Sequence, residues 1–96
     1  MSDSLITNNE VVQKPRLLLV DDEPGLRAAV QAYLQDEGFE VTTAVDWEEG
    51  WQIAQQMIPD LVLTDVMMPR CDGYGLLKRL RDDERLGGTP VIFLSD

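Results

Sequence analysis

Four short apolar runs, separated by segments of helical periodicity, constrain the fold of this 96-residue sequence more than any other feature. The runs predict strands at 16–20, 39–44, 60–65 and 90–95. The intervening segments predict helices from Pro24 to Gly38, from Asp46 to Pro59 and over 73–84. This alternation predicts an α/β fold with a doubly wound parallel sheet, in which right-handed crossovers place helices on both faces.

Acidic residues follow two of the predicted strands at the point where each strand ends. Asp21 and Asp22 come directly after the first strand, and Asp65 closes the third. The carboxyl ends of parallel strands share one edge of the sheet, where ligand sites of open α/β sheets lie. We expect the three carboxylates to converge there if the first and third strands are neighbours. Ser95, at the end of the fourth strand, faces the same crevice in this arrangement.

Three converging carboxylates favour a bound cation, because like charges a few ångströms apart repel one another. Oxygen ligands select a hard ion, so Mg²⁺, Mn²⁺ and Ca²⁺ are the candidates. A carboxylate beside such an ion can attack phosphorus, since the ion neutralises charge on the transferring group. The pattern therefore predicts phosphoryl transfer to an aspartate. The alternative for any single acid is a role in capping a helix or solvating a strand end.

The acidic composition limits the partners that this chain can bind. Eight basic and eighteen acidic residues give a net charge of −10, which argues against binding nucleic acid through phosphate contacts. A cationic partner or a metal ion fits this charge better, although most of the surface acids need do no more than keep the domain soluble.

Other composition features predict a cytoplasmic location. Cys71 is the single cysteine, which excludes an internal disulfide and fits a reducing compartment. The sequence has no histidine, which excludes histidine-based catalysis and zinc sites with histidine ligands. No stretch approaches the roughly 20 apolar residues of a membrane span. Residues 1–14 lack a signal-peptide core and are expected to form a flexible tail before one domain over 15–96.

Three segments of the sequence resemble the receiver domain of bacterial two-component response regulators, over about residues 15–96. They are "VDDEP" at 20–24, "LVLTDVMMPRCDGYGLL" at 61–77 and "PVIFLS" at 90–95. Each segment alone is weak, but the three together, in this order and at family spacing, are specific. The resemblance implies a flavodoxin-like receiver fold and a role in signalling rather than in metabolism as an enzyme.

The resemblance also implies a role for each site residue. Asp65 matches the phosphoacceptor, which takes a phosphoryl group from a histidine of a sensor kinase or a phosphotransfer protein. Asp21 and Asp22 match the acidic pair that holds Mg²⁺, together with Asp65 and the backbone carbonyl of Met67. Ser95 matches the switch hydroxyl that hydrogen-bonds a phosphoryl oxygen.

The sequence departs from the family after its fourth strand. Receiver domains usually continue with a helix, a fifth strand that carries a lysine, and a last helix. We therefore expect a C-terminally truncated receiver, with Asp96 in place of the small residue usual after the switch hydroxyl. The family's strand order would make 90–96 an exposed edge, which predicts either self-association through the fourth strand or a markedly lower stability than that of a full receiver.

Three other functions compete with a phosphoacceptor. A haloacid-dehalogenase phosphatase also uses an aspartate nucleophile, but it needs a second aspartate where Met67 stands. A flavodoxin-like nucleotide binder needs backbone donors after the first strand, where "DDEPG" repels phosphate. A degenerate receiver that acts as a protein-interaction module without efficient phosphorylation is the stronger alternative, because the family's lysine is missing.

Overall fold

The computed structural model describes residues 13–65 and 73–94, and these contain four strands and three helices in the predicted alternation. The elements are β1 (Arg16–Val20), α1 (Pro24–Asp36), β2 (Glu40–Ala44), α2 (Trp47–Met57), β3 (Leu61–Asp65), α3 (Gly73–Asp82) and β4 (Val91–Leu94). Within these segments, no helix has the length and apolar character needed to cross a membrane.

The strands form one parallel sheet in the order β2-β1-β3-β4. In the register of the central pair, Leu17 lies opposite Leu61 and Val20 opposite Thr64. β1 and β3 are therefore neighbours, and the condition for the acids at their carboxyl ends to meet is satisfied. The predicted doubly wound parallel sheet is confirmed.

The core lies on both faces of β1, whose last four residues, 17–20, are fully buried. Leu18 and Val20 belong to a cluster with Leu76 and Leu80 of α3 and Ala54 of α2. Because successive side chains of a strand alternate between faces, Leu17 and Leu19 point to the opposite face. That face is covered by α1, which contacts β1 and β2 but has no fully buried residue of its own.

The ends of α1 and α2 follow the predicted capping signals. Gly38 follows the end of α1 with φ of 101°, a backbone conformation that side chains disfavour. Asp46 is the N-cap of α2 and accepts from the Glu49 amide at 2.8 Å. Glu49 accepts in turn from the amide of Val45 at 2.7 Å, one residue earlier than in the usual capping box. At its other end, α2 has Ile58 as a C-cap in the left-handed region, with φ of 49°.

The prediction that α3 extends to residue 84 is wrong, because the helix ends at Asp82. The Asp83 carboxylate accepts from the amides of Arg85 and Leu86 at 2.8 and 3.1 Å. These bonds replace the carbonyl acceptors that a longer helix would use, and they turn the chain toward β4. Three of the predicted strands also begin one residue later in the structure, at Glu40, Leu61 and Val91.

Helix α2 packs closely on the end of β1 that leads into the acidic segment. Gly50 in its first turns is buried, and a Cβ atom there would stand 3.0 Å from Cγ2 of Val20. A side chain at this position would force Val20 to shift, so glycine favours the close approach of the helix to the strand. The carboxyl end of β1 is therefore held by the sheet and by the packing of α2.

Candidate functional site

Three carboxylates meet at the carboxyl edge of the sheet. Asp21, Asp22 and Asp65 each place an oxygen so that the three atoms lie within 4.8 Å of one another. Asp21 and Asp22 directly follow β1, and Asp65 is the last residue of the neighbouring β3. The sequence predicted this convergence from parallel topology, on the condition that β1 and β3 are neighbours, and the structure brings the three residues together.

Asp21 is the buried member of the cluster, with 1% of its surface exposed. Its amide donates to the Ala44 carbonyl at 3.1 Å, and its Oδ1 accepts from the Glu23 amide at 2.9 Å. Burial raises the pKa of the Asp21 carboxyl; the Glu23 amide opposes this shift, and the charges of Asp65, Asp22 and Glu23 add to it. Without a cation, the site therefore disfavours the ionised form of the Asp21 carboxyl. A bound cation would favour that form.

The raised pKa of Asp21 has a defined consequence for stability. When a carboxyl has a higher pKa in the folded state than in the unfolded state, the folded state binds more protons. The contribution of Asp21 to stability is therefore greatest below the pKa of the unfolded state, which is 3.8. It is lost as the pH rises through the higher pKa of the folded state. In the absence of a cation, Asp21 therefore lowers the stability of the fold at neutral pH.

The segment that carries the first two acids is bonded to helix α1. Glu23 is the N-cap of α1 and accepts from the Leu26 amide. Arg27 reaches back from the helix, and its Nη1 donates to the carbonyl of Asp21 at 2.7 Å. The predicted site did not include Arg27. No motif in the sequence marks it, because its partner is a backbone atom that any residue would supply.

The cluster fits a hard divalent cation. It offers carboxylate oxygens only, and one of its members is buried, whereas Asp22 is exposed and Asp65 half-buried. An ion such as Mg²⁺, which uses one or two carboxylates and keeps several waters, suits a set that is open on one side. The other predicted site residues, Met67 and Ser95, lie outside the described residues.

The fold and the cluster together define the class of protein. A parallel sheet in the order β2-β1-β3-β4, with two acids after β1 and one at the end of β3, is the architecture of a receiver domain. The family model "Response regulator receiver domain" matches residues 17–96. The chain belongs to the response regulator receiver domain family, whose members are signalling domains of two-component systems.

Among curated proteins, the chain is similar to response regulators. It is 51% identical over 80 residues to Response regulator Rre1 of Synechocystis sp. PCC 6803, a match that covers 82% of this chain and 35% of that protein. It is 41% identical over 81 residues to the same organism's DNA-binding dual master transcriptional regulator RpaA, covering 84% and 34% of the two chains. The chain thus spans about a third of these relatives.

Solved structures share the same fold. The chemotaxis protein CheY4 of Vibrio cholerae aligns with a TM-score of 0.80 and 35% identity, covering 83% of this chain and 67% of that one. The receiver domain of sensor histidine kinase PA1611 from Pseudomonas aeruginosa PAO1 aligns with a TM-score of 0.81 and 29% identity, covering 85% and 67%. That structure has a magnesium ion coordinated in its active site cleft. Receiver domains bind Mg²⁺ at an acidic cluster, and this chain has such a cluster.

Proposed function

We propose that this chain is a phosphoacceptor and that Asp65 receives the phosphoryl group. The observation that supports this most strongly is the convergence of Asp21, Asp22 and Asp65 within 4.8 Å at the carboxyl edge of the sheet. Of the three, Asp65 combines partial exposure with a fixed position at the end of a strand that is paired on both sides. A nucleophile needs both properties, because the donor must reach it and its orientation must be held.

In the proposed reaction, a carboxylate oxygen of Asp65 attacks the phosphorus of a phosphohistidine. The bond between phosphorus and the ring nitrogen breaks, and the nitrogen leaves with the bonding electrons. Asp21 and Asp22 would hold the divalent cation, with Asp65 and the Met67 carbonyl as further ligands. A bound Mg²⁺ supplies positive charge that neutralises the transferring group. We further propose that the Ser95 hydroxyl donates to the phosphoryl group after transfer.

The partner and the setting belong to the same proposal. Receiver domains interact with histidine kinases or phosphotransfer proteins, and one of these is the proposed donor here. We propose that residues 15–96 form the domain that accepts the phosphoryl group and that it acts in the cytoplasm. We also propose that this domain does not itself bind nucleic acid or membrane. Any catalysis is limited to its own phosphorylation and dephosphorylation.

The experiment is phosphorylation by a small donor in the absence of any kinase. The chain is incubated with phosphoramidate, with Mg²⁺ or with EDTA, and its intact mass is measured. We expect one phosphoryl group to be added in Mg²⁺ and none in EDTA. Asp65→Asn, which is nearly isosteric, should abolish labelling, whereas Glu84→Gln, an exposed acid in the turn after α3, should leave it unchanged.

Two results would contradict the proposal. Labelling that persists in Asp65→Asn would move the acceptor to Asp21 or Asp22. Absence of labelling in a folded chain that binds Mg²⁺ would favour the interaction module without efficient phosphorylation. Circular dichroism of each variant establishes that the fold is intact before its labelling is compared.

A further inference from the structure

The segment between β1 and α1 is held by a series of hydrogen bonds. The Asp21 amide donates to Ala44 of β2, and the Glu23 amide donates to Oδ1 of Asp21. The carbonyl between these two amides, that of Asp21, accepts from Arg27 Nη1 at 2.7 Å. Arg27 thus fixes the peptide group that joins the first two acids of the cluster.

The orientation of this peptide group decides where the Asp22 carboxylate points. Asp21 is anchored by burial and by its bond to β2, whereas Asp22 is exposed. A rotation of the Asp21–Asp22 peptide would turn the Cα–Cβ bond of Asp22 while leaving Asp21 in place. The bond to Arg27 opposes that rotation, because the carbonyl of the buried residue Asp21 is costly to leave without a partner.

The acceptor that Arg27 uses is a neutral one. Its guanidinium bonds a main-chain carbonyl, so this contact occupies none of the carboxylate oxygens that a cation would need. Arg27 is itself half-buried, and its own amide donates to the Glu23 carbonyl at 2.9 Å in the first turn of α1. The side chain therefore starts from a rigid position, and its reach to the end of β1 is set by the helix.

We propose that Arg27 is a positioning residue for the metal site. It holds the Asp21–Asp22 peptide so that both carboxylates face one cation. This inference rests on the proposed function, since it assumes that Asp21 and Asp22 hold Mg²⁺. In this role Arg27 strengthens cation binding through its hydrogen bond, although its positive charge near the site weakens binding by repulsion.

The charge of Arg27 and its bond to the Asp21 carbonyl predict opposite changes in Mg²⁺ affinity, so the direction of the change tests the inference. Mg²⁺ affinity is measured by isothermal titration calorimetry for the unmodified chain, Arg27→Gln and Arg27→Lys. We expect Arg27→Gln to weaken Mg²⁺ binding about tenfold, at the low end of the effect of outer-shell partners on metal affinity. If Arg27 acted through its charge alone, the same variant would bind Mg²⁺ more tightly. Arg27→Lys keeps a long donor and should recover most of the affinity.

A matched control separates local geometry from net charge. Lys78→Gln also removes one positive charge, from an exposed site on α3 whose contact is an ion pair with Asp82 at 3.5 Å. It should leave Mg²⁺ affinity within about twofold of the unmodified chain, because the Lys78 side chain is 80% exposed and solvent and salt screen its charge.

A second readout needs no metal. Amide hydrogen exchange of Glu23 in EDTA should be faster in Arg27→Gln than in Lys78→Gln, because the turn that protects this amide is loosened. Unchanged or tighter Mg²⁺ binding in Arg27→Gln would overturn the inference while the proposed function stands. If the unmodified chain does not bind Mg²⁺, both are overturned.

Discussion

Replacing Asp65 by asparagine should stabilise the metal-free protein, although it removes the proposed acceptor. Oxygens of the three carboxylates lie within 4.8 Å of one another. Two unit charges at this separation repel by about 0.9 kcal/mol in water and about 3.5 kcal/mol at an effective dielectric constant of 20. The pair that Asp65 forms with exposed Asp22 is screened by solvent, and its pair with buried Asp21 is screened less.

From these two pairs we expect Asp65→Asn to raise the free energy of unfolding by about 2 kcal/mol at neutral pH and low salt. For a domain of this size, that corresponds to a rise in Tm of roughly 8–16 °C. The measurement is thermal unfolding followed by far-UV circular dichroism in EDTA. Glu84→Gln serves as the control, because it also removes one negative charge, at an exposed position in the turn after α3.

Addition of Mg²⁺ should make the unmodified chain more stable than Asp65→Asn, the reverse of their order in EDTA. The unmodified chain gains stability as the cation relieves the repulsion, by about 1.4 kcal/mol for each tenfold excess over the Kd. Asp65→Asn, which lacks one ligand charge, should gain much less. An Asp65→Asn variant that is no more stable in EDTA than Glu84→Gln would refute the argument, because it would mean that the three carboxylates do not repel one another in the folded state.

Three further predictions concern single side chains. Asp21→Asn keeps the acceptor for the Glu23 amide and should be more stable than the unmodified chain at neutral pH in EDTA. This difference in stability should shrink as the pH falls toward 3.8, because the Asp21 carboxyl then takes up a proton; urea unfolding at a series of pH values measures it. Asp46→Ala removes the N-cap of α2 and should cost about 1 kcal/mol, measured as a lower urea midpoint. Ile92 is 50% exposed on β4, which has one neighbouring strand among the described residues, and the chain should therefore self-associate through this strand. Light scattering over a concentration series should show less association for Ile92→Lys, and a monomer at all concentrations for both chains would contradict the prediction.

The sheet and the cluster were predictable because both follow from patterns that tertiary packing does not override. Strand β1 is apolar from Leu17 to Val20, as expected for a strand covered on both faces, and its end is marked by Asp21. Parallel topology then places all carboxyl ends at one edge, so the meeting with Asp65 required only that β1 and β3 be neighbours. No side-chain geometry was needed for that inference.

Two features that the sequence did not predict are bonds between a side chain and the main chain. Asp83 accepts from the amides of Arg85 and Leu86, and α3 ends two residues earlier than predicted. The bond from Arg27 to the Asp21 carbonyl has no sequence signal, since every residue offers a carbonyl. The first contact is a local turn, and the second depends on how α1 is placed against β1; hydrophobic periodicity carries no information about either.

The shallow burial of α1 links its opening motions to the proposed metal site. This helix has no fully buried residue, so it is expected to open more readily than β1, whose residues 17–20 are fully buried. It contributes no ligand, yet the capping bond of Glu23 and the bond of Arg27 join its first turn to the acids. An opening of α1 that breaks these bonds also dismantles the site, so a cation that binds the closed form must suppress it. Exchange of the α1 amides should therefore slow in proportion to the Mg²⁺ bound. A helix at the surface would in this way report the occupancy of a site that it does not line.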